Sequence, residues 1–98
     1  MKAELLFRRR TVVDEAAFTE LVLWRVPSPV RGSGHAYKYS LAFVVRGVCV
    51  LRYDNEAGKG DHKHIGEIET EYAFTDVDTL LADFKADVVR WLDEHRDA

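Results

Sequence analysis

From Tyr53 to His64 the chain reads Tyr53-Asp54-Asn55-Glu56-Ala57-Gly58-Lys59-Gly60-Asp61-His62-Lys63-His64. Two histidines, two aspartates, an asparagine, two lysines and two glycines fall within twelve residues. Core packing has no need for that mixture, whereas proton transfer, phosphate contact and metal binding all do. His62 and His64 are two apart, so on an extended segment their side chains share a face. RNA cleaves when its 2′-OH attacks the adjacent phosphate, which takes a base, an acid and a cation near the phosphoryl oxygens. Histidine is the side chain whose ordinary pKa suits the first two roles near neutral pH. His62 is therefore read as base or acid, with His64 or His35 as its complement. Asp61 or Asp54 would orient an imidazole, and Lys59 would supply the cation. Gly58 and Gly60 would let backbone N–H groups approach phosphate, and Asn55, Lys63, Arg52 and Lys38 are read as nucleic-acid contacts.

Two other readings stand beside this one. The same imidazoles, joined by Asp61, Asp54 or His35, are the donor types of a divalent-metal site. No cysteine cluster and no His-Glu-x-x-His accompanies them, so the expectation is chemistry without a metal or other cofactor; a metal-dependent phosphodiesterase is the alternative. A solvated polar turn also accounts for the stretch, with no chemistry at all. His35 and Lys38 follow a Gly/Ser loop and are free of the core pattern that claims Tyr37 and Tyr39.

The elements that must position these residues are legible from periodicity. Strands are expected at 4–13, 18–26, 36–46 and 48–53, with a fifth at 67–74, where Ile68, Thr70, Tyr72 and Phe74 alternate with Glu67, Glu69 and Glu71. Pro27-Ser28-Pro29 ends the second strand, because proline cannot donate to a ladder. Arg46-Gly47 marks a tight hairpin. The motif opens where the fourth strand ends, after Tyr53. Val77, Leu80, Leu81, Phe84, Val88, Trp91 and Leu92 recur at helical spacing and predict a helix over 76–95 with Thr75 as N-cap. The expected fold is α+β: a largely antiparallel sheet of four to five strands with one C-terminal amphipathic helix on one face. The other face, carrying Arg8, Arg10, Arg25, Lys38, Arg46 or Arg52, is left open. Trp24 and Trp91 are assigned to the core, and Cys49, between two valines, is read as buried and inert. Arg8-Arg9-Arg10 is too short for a nucleic-acid arm.

Length and composition bound the rest. The 98 residues, 47% hydrophobic and 32% charged, suit one soluble domain spanning 1–98. No apolar run approaches a membrane span, the N-terminus is not a signal peptide, and one cysteine permits no internal disulfide, so a cytoplasmic protein is expected. The net charge of −3 hides an asymmetry: residues 1–53 carry nine Lys/Arg against four Asp/Glu, and residues 54–98 five against thirteen. No P-loop, Gly-x-Gly-x-x-Gly or Gly-x-Ser-x-Gly is present, which leaves nucleotide hydrolysis and serine chemistry without support.

Tyr53-Asp54-Asn55-Glu56 followed by Gly58-Lys59-Gly60-Asp61-His62-Lys63-His64 resembles the TumE-type toxin family of bacterial toxin–antitoxin modules. So do Trp24-Arg25-Val26-Pro27, His35 with Tyr37-Lys38-Tyr39, and Phe74-Thr75-Asp76-Val77-Asp78-Thr79-Leu80. The resemblance spans nearly the whole chain. It implies a small cytoplasmic toxin paired with a helix-turn-helix, DNA-binding antitoxin, and it hands over no mechanism. RNA or the ribosome as target follows from the habit of small toxins, by analogy. A non-catalytic module binding nucleic acid or protein is the reading from a different class. The acidic Glu67, Glu69 and Glu71 offer a surface for a basic antitoxin segment, or simply a solvated strand face.

Overall fold

A computed structural model describes residues 2–95. Six strands form one antiparallel sheet whose spatial order is the order of the sequence: β1 (Glu4–Asp14), β2 (Ala17–Arg25), β3 (Tyr37–Val45), β4 (Val48–Glu56), β5 (Gly60–Ile65) and β6 (Ile68–Glu71). The helix α1 (Val77–Glu94) then crosses one face. That is the expected α+β architecture, with more strand than the apolar pattern showed.

Alternation along each strand decides what meets the helix. Leu23 on β2, Tyr39, Leu41 and Phe43 on β3, and Leu51 and Tyr53 on β4 form one buried cluster with Leu80, Phe84 and Val88 of α1. Register aligns them, Leu23 opposite Tyr39, Leu41 opposite Tyr53 and Phe43 opposite Leu51. Tyr53 and Phe84 meet edge to face at 5.5 Å, as do Phe43 and Trp91, a geometry worth about 1 kcal/mol beyond area burial. Removing the Phe84 ring would cost roughly 3–5 kcal/mol. Polar bolts fix the helix as well: the Tyr53 hydroxyl donates to Asp87, and Lys63 Nζ lies 3.3 Å from the same carboxylate.

Several local expectations change. The fourth strand runs on through Asp54 and Asn55 to Glu56, and the motif's second half is itself a strand, β5. The sixth strand stops at Glu71, before Tyr72 and Phe74. The N-cap is Asp76, whose carboxylate accepts from the Thr79 N–H at 2.7 Å, not Thr75. The Arg46-Gly47 turn is as expected, both residues at positive φ (50° and 78°). Cys49 is exposed: the register slips between Phe43 and Val44, and this one-residue irregularity turns Cys49 away from the face that Leu51 occupies. Trp24 is half-buried and outside the core cluster, because it alternates with Leu23 and so shares the opposite face with Val22. Arg25 has the parity of Leu23 and reaches Glu4 at 4.0 Å, and Arg46 lies in the turn, so neither belongs to the open face.

Because spatial order follows sequence order, the charge asymmetry of the chain is also an asymmetry across the sheet. The basic residues of β1–β3 lie on one side, and the acidic β6 is at the other.

Candidate active site on the open sheet face

The β4–β5 hairpin carries the motif, and its register sorts the motif residues onto two faces. Arg52 pairs with His64 and Asp54 with His62; one step along, Tyr53 pairs with Lys63 and Asn55 with Asp61. The first set therefore lies on the open face and the second on the helix face. β6 adds Glu69 opposite His64 and Glu71 opposite His62.

On the open face His62 Nε2 lies 2.6 Å from Asp54 Oδ1, with His62 4% and Asp54 5% exposed. His62 Nδ1 faces the Gly60 carbonyl at 3.0 Å; a carbonyl only accepts, so Nδ1 carries a proton and Nε2 is left facing Asp54. The other carboxylate oxygen of Asp54 is 3.0 Å from Arg52 Nε. Among the described residues, neither His62 Nε2 nor Asp54 Oδ1 has a hydrogen-bond partner; their close approach lacks hydrogen-bond geometry. The His64 ring meets that of His62 edge to face at 5.1 Å, and its Nε2 is 3.2 Å from Glu69 Oε2. Lys59 Nζ donates to the same Glu69 oxygen at 3.1 Å. That bond holds the Lys59 pKa above its ordinary value and the Glu69 pKa below its own.

Two shallow grooves flank the pair. One, about 220 Å³, is lined by Lys59, His62, Glu69, Thr70 and Glu71. The other, about 180 Å³, includes Trp24, Lys38, Ser40, Arg52 and Asp54. A larger depression of about 360 Å³ sits at the opposite end of the strands, beside Asp14, Arg46, Trp91 and His95, away from this chemistry.

On the helix face Asp61 accepts from three groups: Ser33 Oγ at 2.6 Å, Tyr39 OH at 2.7 Å and His35 Nε2 at 2.7 Å. Burial alone would raise its pKa; the three donors outweigh that and lower it. Burial, then the Asp61 carboxylate, pushes the Tyr39 hydroxyl well above its usual range. His35 Nδ1 accepts from the Tyr37 N–H, so both its nitrogens are in use, and Phe74 stacks on its ring at 3.7 Å. Asn55, fully buried, accepts from the Tyr39 N–H and donates to the Tyr37 carbonyl and Ser33 Oγ. These residues tie the loop before β3 to the hairpin.

The structure thus brings together Asp54, His62 and His64 with Arg52 and Lys59, and places Asp61 and His35 on the other side of the sheet. Lys63 points to the helix. The Gly58 N–H is committed to the Arg31 carbonyl at 2.7 Å. Lys38 stays with the open face, its Nζ donating to the Asn55 carbonyl at 3.1 Å. Glu69 is the site residue the motif reading did not include. Its signal was a strand parity shared with Glu71, opposite the two histidines.

A family model described as Toxin TumE matches residues 3–92, a span that takes in all six strands, both carboxylate–histidine pairs and most of α1. The chain belongs to the TumE toxin family. Membership in the TumE family supports a toxin of a toxin–antitoxin module, and with it an antitoxin partner. No curated protein matched the chain, and no solved structure matched it. Among the described residues, no helix is long and apolar enough to cross a membrane.

Proposed function

We propose that this TumE-family protein acts in the cytoplasm by cleaving RNA at the open-face centre formed by Asp54, His62 and His64. The observation that carries the reading is the buried Asp54–His62 pair set on a solvent-facing sheet, between a groove with Trp24, Lys38 and Arg52 and one with Lys59. Lys38, Arg52 and Lys59 supply positive charge for phosphate on both sides. Trp24 offers a ring on which an unpaired base can stack, the usual means of holding single-stranded RNA on a sheet. Arg8, the register partner of Val22, extends the basic track along the same face, whereas Arg10 is paired with Glu20 at 2.7 Å.

His62 is buried, with Nδ1 on the Gly60 carbonyl and Nε2 facing Asp54, so solvent does not reach it. His64 is the imidazole that solvent reaches. Activation of the nucleophile falls to whatever lies between Asp54, His62 and His64.

The partner we propose is a helix-turn-helix antitoxin whose basic segment docks on the acidic edge around Glu67 and Glu71. Induced expression of wild type and His64→Gln, read by growth and by total-RNA integrity, tests the enzymatic reading. Arrest with fragmented RNA in wild type alone supports it. Arrest with intact RNA keeps the toxin and removes RNA cleavage. Purified protein that binds RNA with steep salt dependence and never cuts it would favour the non-catalytic module instead.

A further inference from the structure

We infer that Asp54, His62 and His64 form a binding site for a divalent first-row transition cation, with Glu69 as the fourth donor. The inference replaces the metal-free acid–base pair suggested by the motif. It does not depend on RNA being the target.

Three observations carry it. Asp54, His62 and His64 each offer one ligand atom within 4.8 Å of the others, and two of the three residues are buried. The secondary partners are already in place: the Gly60 carbonyl fixes the His62 tautomer, and Arg52 holds Asp54 Oδ2. This is how proteins orient a metal-binding imidazole and carboxylate, leaving one lone pair on each to point inward. Those inward atoms, His62 Nε2 and Asp54 Oδ1, are the ones left without a hydrogen-bond partner among the described residues. Two buried acceptors facing each other are unfavourable unless a proton or a cation lies between them.

The spacing of Glu69 against the two histidines also fits. Four donors at about 2.1 Å around a tetrahedral ion lie about 3.4 Å apart. Glu69 Oε2 is 3.6 Å from His62 Nε2 and 3.2 Å from His64 Nε2. The 2.6 Å gap between His62 Nε2 and Asp54 Oδ1 has to open by less than one ångström. Lys59, which now pairs with Glu69, would stay beside the ion as its link to solvent and phosphate.

Two imidazoles with two carboxylates suit Zn²⁺, Mn²⁺ or Fe²⁺, and disfavour Ca²⁺ and Mg²⁺, which prefer all-oxygen shells. A cation held there would supply positive charge beside a bound phosphate and would lower the pKa of any water it bound.

The test is titration of tag-free, chelator-stripped full-length protein with ZnCl₂ and with MnCl₂, followed by calorimetry and by melting temperature. Co²⁺ substitution adds an absorption signature that reports imidazole and carboxylate coordination. One ion per chain is expected, with affinity falling tenfold or more in His64→Gln and in Asp54→Asn. His64 is partly exposed, so its variant keeps the fold and a loss of binding there is not a loss of structure. No binding by folded wild type overturns the inference, and so does binding that both variants retain. Neither outcome uses RNA cleavage, so the cation site and the RNA reading stand or fall separately.

Discussion

Asp54 and Asp61 sit on adjacent strands, one register step apart, and each holds a histidine on an opposite face of the same sheet: His62 at 2.6 Å and His35 at 2.7 Å. The two carboxylates are chemically alike and differently completed. Asp61 is saturated by donors from Ser33, Tyr39 and His35, whereas Asp54 keeps one buried oxygen without a hydrogen-bond partner among the described residues. A saturated carboxylate stabilises structure. An unsatisfied one, facing a similarly unsatisfied imidazole, is a candidate site for chemistry.

Asp61 should therefore behave as a stability residue. Asp61→Ala leaves three donors without their acceptor and is expected to cost about 3 kcal/mol, read by urea denaturation. Its folded pKa is lowered, so its stabilisation is complete above the ordinary carboxylate value near 4 and is lost as pH falls through the lowered one. Melting temperature of wild type should drop below about pH 4, and Asp61→Asn should flatten that drop. An unchanged acid limb in the variant would remove Asp61 as its cause.

Gly60 should tolerate no side chain. Its φ is +74°, and a Cβ there would lie 2.5 Å from the Gly32 carbonyl oxygen. Gly60→Ala is expected to separate the loop before β3 from the hairpin and to destabilise by about 2 kcal/mol or more. Gly47→Ala is the control, since it has positive φ but no atom within 4 Å of the added Cβ. Thermal melts of the two variants give the comparison.

His64→Gln should abolish growth arrest without lowering melting temperature by more than a degree or two. Loss of a proton-transfer or ligand group lowers turnover by about 10²–10⁴-fold. His62→Ala should also be non-toxic, but it leaves the buried Asp54 without its neighbour, so its melt must be measured beside its phenotype. Persistent arrest with folded His64→Gln would move the site elsewhere.

Lys38→Ala and Arg52→Ala should each weaken RNA binding across sequences and reduce the salt slope by about one unit. Trp24→Ala should weaken it by about 1–3 kcal/mol with the slope unchanged, as expected for lost base stacking. Filter binding of a single-stranded oligonucleotide at several salt concentrations separates the two behaviours. Equal losses in all three variants with a collapsed fold would show that the face is structural.

Much of the architecture was legible because apolar alternation marks β2, β3 and the first half of β4, and a helical stripe marks α1. β5 was not, and the reason is chemical. Gly60, His62 and His64 alternate with Asp61 and Lys63, so polar residues occupy both faces until Ile65 and no apolar period appears. Leaving that stretch without an assigned strand also kept Asp61 with His62, which strand geometry separates. Trp24 and Cys49 fail differently. Size and neighbours suggested burial, whereas parity in one case and a bulge in the other set the exposure. Glu69 was visible as part of an acidic run but not as a site residue, since its contacts with Lys59 and His64 exist only once β5 and β6 pair.

The sequential strand order has a kinetic consequence. Every strand pairs only with its neighbours in the chain, so closing each hairpin requires only a short loop, apart from the longer 26–36 connection between β2 and β3. Arg52 through Glu69, which carry the whole open-face cluster, lie on three consecutive strands and can zip without any distant partner. The helix supplies contacts to the sheet core through Leu80, Phe84 and Val88, and it is synthesised after all six strands. A nascent chain therefore exposes Leu41, Phe43, Leu51 and Tyr53 on its uncovered face until α1 emerges.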